Sequence, residues 1–202
     1  MKLYYAPDSC ALAAHIALVE AGLPHVLVRV DHATKMADDG VDFTSVNPKG
    51  CVPALELDGG QVLTESAAIL QYIADLTPAA GLAPAAGSFQ RYRLAEWLNF
   101  VSSELHQVFM RFTIADAPAA VFAATTQKLA GRYAYAAKAL DAQPYLLGRD
   151  YSVADTFLYV TTRWCKPVGI DIAQWPGLVR HAASIAARPG VLRALAAEGL
   201  GS

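Results

Sequence analysis

Apolar and polar positions change period several times along the chain, and each change marks an element. Leu3-Tyr4-Tyr5 is a short apolar run that predicts a strand. Pro7-Asp8-Ser9 is turn chemistry with a candidate N-cap. Ala11 to Ala21 predicts a helix, rich in Ala and Leu and stopped by Gly22-Leu23-Pro24. His25 to Asp31 alternates and is β-branched, so it reads as a second strand. Strand, helix, strand in that order expects a parallel pair with a crossover helix. Residues 32–48 hold no clean period and are expected to be irregular and partly helical. Ala54 to Leu57 is a third strand, Asp58-Gly59-Gly60 a hairpin turn and Gln61 to Leu63 the return strand. Thr64-Glu65-Ser66 offers caps for a helix whose apolar face is Ile69, Tyr72, Ile73 and Leu76.

Thr77 to Ser88 is rich in Pro, Ala and Gly and reads as a domain boundary. It separates 1–78 from 88–202, with 79–87 as linker. After it no strand pattern is convincing. Phe89 to about Phe112 predicts a long helix with Leu94, Leu98, Val101, Leu105 and Val108 on one buried stripe. Asn99, Ser103, His106 and Met110 follow a neighbouring stripe. A helix shows such a polar line where it borders a cleft, and also where it simply faces solvent. Phe122 to Leu140 is another helix, with Phe122, Leu129, Tyr133, Ala136 and Leu140 roughly on one face. Ser152-Val153-Ala154-Asp155 has capping-box spacing, with Asp at the acidic position, beside a weak Tyr151–Thr156 staple. Trp175-Pro176-Gly177 separates the next helix, and Arg188-Pro189-Gly190 opens a last short one. The sum is an α/β N-terminal domain of thioredoxin-like topology followed by an all-α C-terminal helical domain.

Composition narrows the function classes. The 202 residues are 54% hydrophobic and 17% charged, so a packed core is expected and disorder is not. A net charge of −2 leaves no footprint for nucleic acid or an anionic membrane. The N-terminus lacks a signal-peptide pattern, and no apolar stretch is long enough to span a bilayer. Three cysteines, Cys10, Cys51 and Cys165, form no disulfide framework, which favours a reducing compartment. His15, His25, His32, His106 and His181 are scattered, so no metal cluster is expected. His15 sits on the apolar face of the first helix and reads as a satisfied core histidine.

Cys10 is the position the first half converges on. It falls at or just inside a helix N-terminus, where unpaired N–H groups concentrate positive potential. A thiol there tends to have a depressed pKa, with room beside it for an anion or a second sulfur. The other reading is a small apolar residue packed under a helix start.

Five pieces, taken in order, carry a resemblance that spans essentially the whole chain. They are Lys2-Leu3-Tyr4-Tyr5 with Cys10; Val46 to Gly50 with Val52-Pro53-Ala54-Leu55; and Leu63 to Ile69. The second half adds Glu96-Trp97-Leu98-Asn99 with Ser103-Glu104-Leu105-His106, and Ser152 to Asp155. Together they resemble a bacterial glutathione transferase of the beta class. The resemblance implies the glutathione transferase fold, a cytoplasmic homodimer, a detoxifying role and glutathione as co-substrate without a metal. It implies Cys10 and His106 as the two side chains near the sulfur. Val52-Pro53 matches a cis-proline turn that pairs with the peptide backbone of glutathione. Glu65 and Ser66 match the pair that holds the γ-glutamyl end, and Lys35 matches a residue for the glycyl carboxylate. The resemblance implies that Asn99, Ser103 and Glu104 complete the site, the last two from across a dimer interface. Cys51 departs from the polar residue many relatives carry there, and is either a resolving thiol or incidental.

The implied activity is transfer of glutathione to a small, largely apolar electrophile, with Tyr5, Phe109, Phe112 and Trp164 as its apolar wall. One alternative makes Cys10 the nucleophile, for monothiol disulfide exchange or reductive dehalogenation; Ala13 excludes a CxxC pair. The other is a non-catalytic ligand-binding module, which the intact set of Cys10, Val52-Pro53, Glu65-Ser66 and His106 argues against.

Overall fold

The computed structural model describes residues 1–201, which form two compact units. The first comprises Met1–Ala83 joined by the chain from Arg188 on, and the second is Pro84–Ala187.

The first unit begins with β1 (Lys2–Tyr5), α1 (Ala11–Glu20) and β2 (Val26–Arg29). A short α2 (Phe43–Val46), β3 (Ala54–Glu56), β4 (Val62–Thr64) and α3 (Ser66–Leu76) follow. The four strands make one thioredoxin-like mixed sheet in the order β2-β1-β3-β4. β1 runs parallel to β2, with Leu3 opposite Leu27, and antiparallel to β3, with Leu3 opposite Leu55. β3 and β4 form the expected hairpin, with Leu55 opposite Leu63. Every residue of α1 from Ala11 to Leu18 is buried, because it packs against α3 and also against the last helix. A helix apolar all round belongs inside. The buried stripe of α3 is Ser66, Ile69, Leu70, Ile73 and Ala74, the spacing of one helical face. The expected face was rotated by one position: Leu76 is exposed and Tyr72 half-buried.

The division of the chain also differs from the expectation that 88–202 is one helical domain. The closing helix α9 (Pro189–Ala197) belongs to the first unit and packs on α1. Two ion pairs bind this segment to α1, Arg188 with Glu20 and His15 with Glu198. Gly190 shows how close the approach is. A Cβ there would lie 2.1 Å from Glu20 Oε1 and 2.6 Å from its Cδ. Gly190→Ala is therefore expected to lower stability by about 1–2 kcal/mol, despite the better helix propensity of Ala. Urea unfolding reads the loss, and Glu20→Ala in the same chain should recover most of it.

The second unit is helical. α4 (Phe89–Phe100) continues without a break into a π-helical turn, Val101–His106, then α5 (Gln107–Phe109) and a 3₁₀ turn, Met110–Thr113. Leu94, Leu98, Val101, Leu105 and Val108 are all buried, as their spacing predicts. The backbone winds more loosely through the π turn, yet the buried stripe continues across it unbroken. α6 (Ala119–Asp141) buries Leu129, Tyr133, Ala136 and Leu140, but Phe122 only in part. α7 (Val153–Arg163) begins at the predicted capping box, with both reciprocal bonds between Ser152 and Asp155 in place. Tyr151 and Thr156 meet by a hydrogen bond between their hydroxyls, so the flanking staple is polar. α8 (Pro176–Ala186) completes the unit. Among the described residues no helix is long and apolar enough to cross a membrane.

Candidate active site

Three loops of the first unit come together at Cys10. The first is its own turn. Ser9 N–H and hydroxyl both donate to the Ala6 carbonyl, at 3.2 and 2.7 Å, and Ser9 Oγ accepts from Ala11 N–H at 3.2 Å. Ser9 therefore caps α1, and Cys10 already has helical geometry, with φ −61° and ψ −18°.

The second loop runs from Asn47 to Pro53. Asn47 is buried and ties the loop to itself, its Nδ2 donating to the Cys51 carbonyl at 2.6 Å and its carbonyl accepting from Gly50 N–H at 2.8 Å. Gly50 turns with φ +62°, a conformation that favours glycine. The Val52–Pro53 peptide bond is cis. Lys35 reaches this loop from the segment after β2, Nζ donating to the Gly50 carbonyl at 3.1 Å.

The third loop is the entry to α3. Ser66 is its first residue and is buried. Glu65 before it has φ +69° and ψ 118°, a strained backbone for a residue with a side chain. Such strain persists where surrounding structure or function requires it. The exposed Glu65 carboxylate is paired with Lys49, whose Nζ also donates to Thr64 Oγ1 at 2.8 Å.

Cys10 Sγ–H donates to the Val52 carbonyl at 3.4 Å, joining the first loop to the second. Ser66 of the third loop lies near enough to the same thiol to favour its thiolate. The helix-start argument expects a depressed pKa, and the structure reverses it. Burial pushes the Cys10 thiol up from the usual 9.0 to about 11, outweighing Ser66 and the backbone, which favour the thiolate. At neutral pH Cys10 is a hydrogen-bond donor. The buried Cys165 is likewise pushed up to about 11 by burial.

Because folding raises these pKa values, the folded chain holds the thiol protons more tightly than the unfolded chain. That stabilisation is complete below about pH 9 and is lost as pH climbs through about 11. Urea midpoints of the wild type are expected to fall over this window, and Cys10→Ala should flatten the fall. Cys51, in contrast, is exposed, with its Sγ 3.3 Å from the Lys49 carbonyl. At pH 8 a thiol reagent is expected to label Cys51 first, a fast phase that Cys51→Ser removes.

Lys35, Cys51, Val52, Pro53, Glu65 and Ser66 thus share one surface with Cys10. Sequence reasoning missed Lys49 and Asn47 here. The Asn-Pro-Lys-Gly turn carried the signal for Asn47, whereas the reach of Lys49 to Glu65 depends on how the two loops close.

The second unit holds the remaining candidates. His106 ends the π turn, with its ring 5.7 Å from Trp164 and 6.2 Å from Phe157. Phe109 lies 5.4 Å from Trp164 and 6.2 Å from Phe112, and Phe112 stacks on Phe122 at 5.8 Å. Three of the four predicted wall residues therefore form one cluster with His106, joined by Phe122 and Phe157, which the sequence reading passed over. The fourth, Tyr5, lies in β1 of the first unit, buried, with its phenol pushed up by burial first and by Glu198 second. Asn99 and Ser103 are exposed, with Ser103 Oγ donating to the Asn99 carbonyl at 2.9 Å. Glu104 is committed to α6, 2.7 Å from Arg132 Nε and 3.8 Å from Lys128 Nζ. Among the described residues no group of three or more His, Cys, Asp or Glu could hold a metal ion.

Comparison with known proteins identifies the family and the fold. Residues 9–76 match the family model described as the glutathione S-transferase N-terminal domain. The chain is 38% identical to glutathione S-transferase GstA of Escherichia coli O157:H7, over 99% of this chain and 100% of that one. A sphingomonad glutathione S-transferase solved in complex with glutathione is 46% identical, with full coverage of both chains and a TM-score of 0.96. The beta-class enzyme of Sphingomonas chungbukensis is 43% identical over 100% of both chains, with a TM-score of 0.96.

Proposed function

The chain belongs to the bacterial glutathione transferases of the beta class, and we propose that it uses the thiol of glutathione itself to attack small, largely apolar electrophiles. The observation that carries this reading is the state of Cys10. A thiol with its pKa pushed up to about 11 and its proton directed at the Val52 carbonyl is a poor nucleophile at neutral pH. It is suited to donate a hydrogen bond to a neighbouring sulfur.

The rest of the surface matches glutathione group by group. Val52 presents the N–H and C=O that an extended peptide pairs with, its carbonyl keeping a second lone pair beside the Cys10 bond. Ser66 and the first N–H groups of α3 suit the γ-glutamyl carboxylate. Glu65 suits the γ-glutamyl ammonium, and Lys35 the glycyl carboxylate. Glutathione then gives its thiol proton to water, its sulfur bonds to the electrophilic carbon, and the leaving group departs with the electron pair. Donors near the sulfur lower its pKa and so raise the fraction ready to react. The family resemblance is the ground for proposing His106 as a second such donor and Asn99, Ser103 and Glu104 as further glutathione contacts. The aromatic cluster of Phe109, Phe112 and Trp164 is proposed as apolar surface for the electrophile, and Tyr5 is proposed on the family resemblance alone. The homodimer, the cytoplasmic setting and the detoxifying role rest on the family, and sedimentation of the purified chain tests the first.

The test is conjugation of glutathione to an aryl halide by wild type and Cys10→Ala. A thiol is a weak donor, and a single such bond contributes about 1 kcal/mol, so the variant is expected to lose about fivefold in rate. Complete loss would make Cys10 the nucleophile and turn the reading to disulfide exchange or dehalogenation. Absence of any heat on titrating wild type with glutathione would leave only a binding module.

A further inference from the structure

Glu198 stands just past the end of α9, yet its carboxylate is engaged with the opposite end of the chain. Oε1 lies 2.9 Å from His15 Nδ1 on α1, and Oε2 accepts from Asp8 N–H at 3.3 Å. The Glu198 side chain is 0% exposed and that of His15 2%. A carboxylate taken fully out of water costs several kcal/mol before its partners repay it, so a brace between two helices is more cheaply made from apolar residues. The partner that an apolar brace could not serve is Asp8 N–H. Asp8 has φ +53°, the left-handed region, and it lies two residues before Cys10 in the turn that opens α1.

We propose that Glu198 is a positioning residue for the transfer reaction: held by His15, its carboxylate anchors the Asp8 peptide and so sets where the Cys10 thiol and the first N–H groups of α1 stand. This rests on the transferase reading above. Ser9 fixes the turn from within, through Ala6 and Ala11, and Glu198 fixes it from the far end of the chain. Its charge also reaches the neighbouring strand, where it contributes to the raised pKa of Tyr5. A donor set that moves by about 1 Å relative to the reacting sulfur loses rate steeply, whereas the groups that grip the ends of glutathione sit on other loops.

Two variants test it. His15→Leu with Glu198→Met replaces both buried partners by apolar groups of similar size, a change that is often nearly neutral for folding. It removes the Asp8 anchor. The kcat for aryl halide conjugation is expected to fall about tenfold or more, while KM for glutathione moves less than about twofold. The ionisation of bound glutathione, followed by thiolate absorbance, is expected to shift up by about one pH unit. Glu198→Gln keeps an oxygen for Asp8 N–H and an amide N–H for His15 Nδ1, and should retain about half of wild-type kcat or more. A folded double variant with wild-type kcat and ionisation overturns the proposal. So does a double variant that fails to fold, because the pair is then an element of stability. Wild type that shows no bound thiolate would instead sink the transferase reading. In that case hydrogen exchange at the amides of Asp8 to Cys10 still decides the anchor: faster exchange in the double variant than in Glu198→Gln supports it, and equal rates overturn it.

Discussion

Asp155→Ala is expected to cost about 4 kcal/mol or more of stability, the largest loss of any single substitution considered in this chain. The carboxylate is 0% exposed and accepts four hydrogen bonds. Oδ1 takes Leu146 N–H at 2.8 Å and His181 Nε2 at 3.0 Å. Oδ2 takes Ser152 N–H at 2.9 Å and the Ser152 hydroxyl at 2.9 Å. Alanine leaves two backbone donors and a histidine donor without partners in the core of the second unit. Each buried orphan costs about 1–3 kcal/mol, and a lost helix cap adds about 1 kcal/mol. Thermal unfolding should show a midpoint lower by about 15 °C or more for a unit of this size. Asp155→Asn keeps one good acceptor and should lose about half as much. A shift of only a few degrees for Asp155→Ala would mean that water or a rearranged Ser152 replaces the carboxylate.

The second large effect is on binding. Glu65→Ala is expected to raise KM for glutathione about 10- to 100-fold, the range set by losing a charge-assisted bond of about 1.5–3 kcal/mol to the substrate ammonium. Glu65→Gly should raise KM equally, because it also lacks the carboxylate. The two variants should part company in stability. The backbone at φ +69° is comfortable for glycine and strained for alanine, so the glycine variant should be the more stable by about 1 kcal/mol. If KM stays at the wild-type value in both, Glu65 serves the turn and its pairing with Lys49, and the ammonium is held elsewhere. Equal stability of the two would show that the strain is relieved in solution.

Local structure was legible along the chain wherever its causes lie within about one helical turn. The strand, helix, strand opening, the Asp58-Gly59-Gly60 hairpin and the Ser152–Asp155 box each depend on residues close in the chain, whereas the side-chain cap expected before α3 does not form. So does the assignment of His15 to the core, since its neighbours on α1 are all apolar. The candidate site was legible in the same way, as motifs at the starts of α1 and α3 and before β3.

What the chain alone determined, then, was which elements form and which residues stand at their ends. Tertiary structure decided the rest. The pKa of Cys10 is the clearest case. A helix start argues for a thiolate, but the desolvation that reverses the shift depends on Val52 and Ser66, 42 and 56 positions away, closing over the sulfur. The π turn that ends at His106 has no local breaker in the sequence, and it shows only in the packed helix. The partner of Glu198 is His15, 183 residues earlier, and the assignment of α9 to the first unit follows from that pair and from the room Gly190 leaves for Glu20. Burial and long-range pairing are properties of the closed chain, since no short window contains both partners or the surface that excludes water from them.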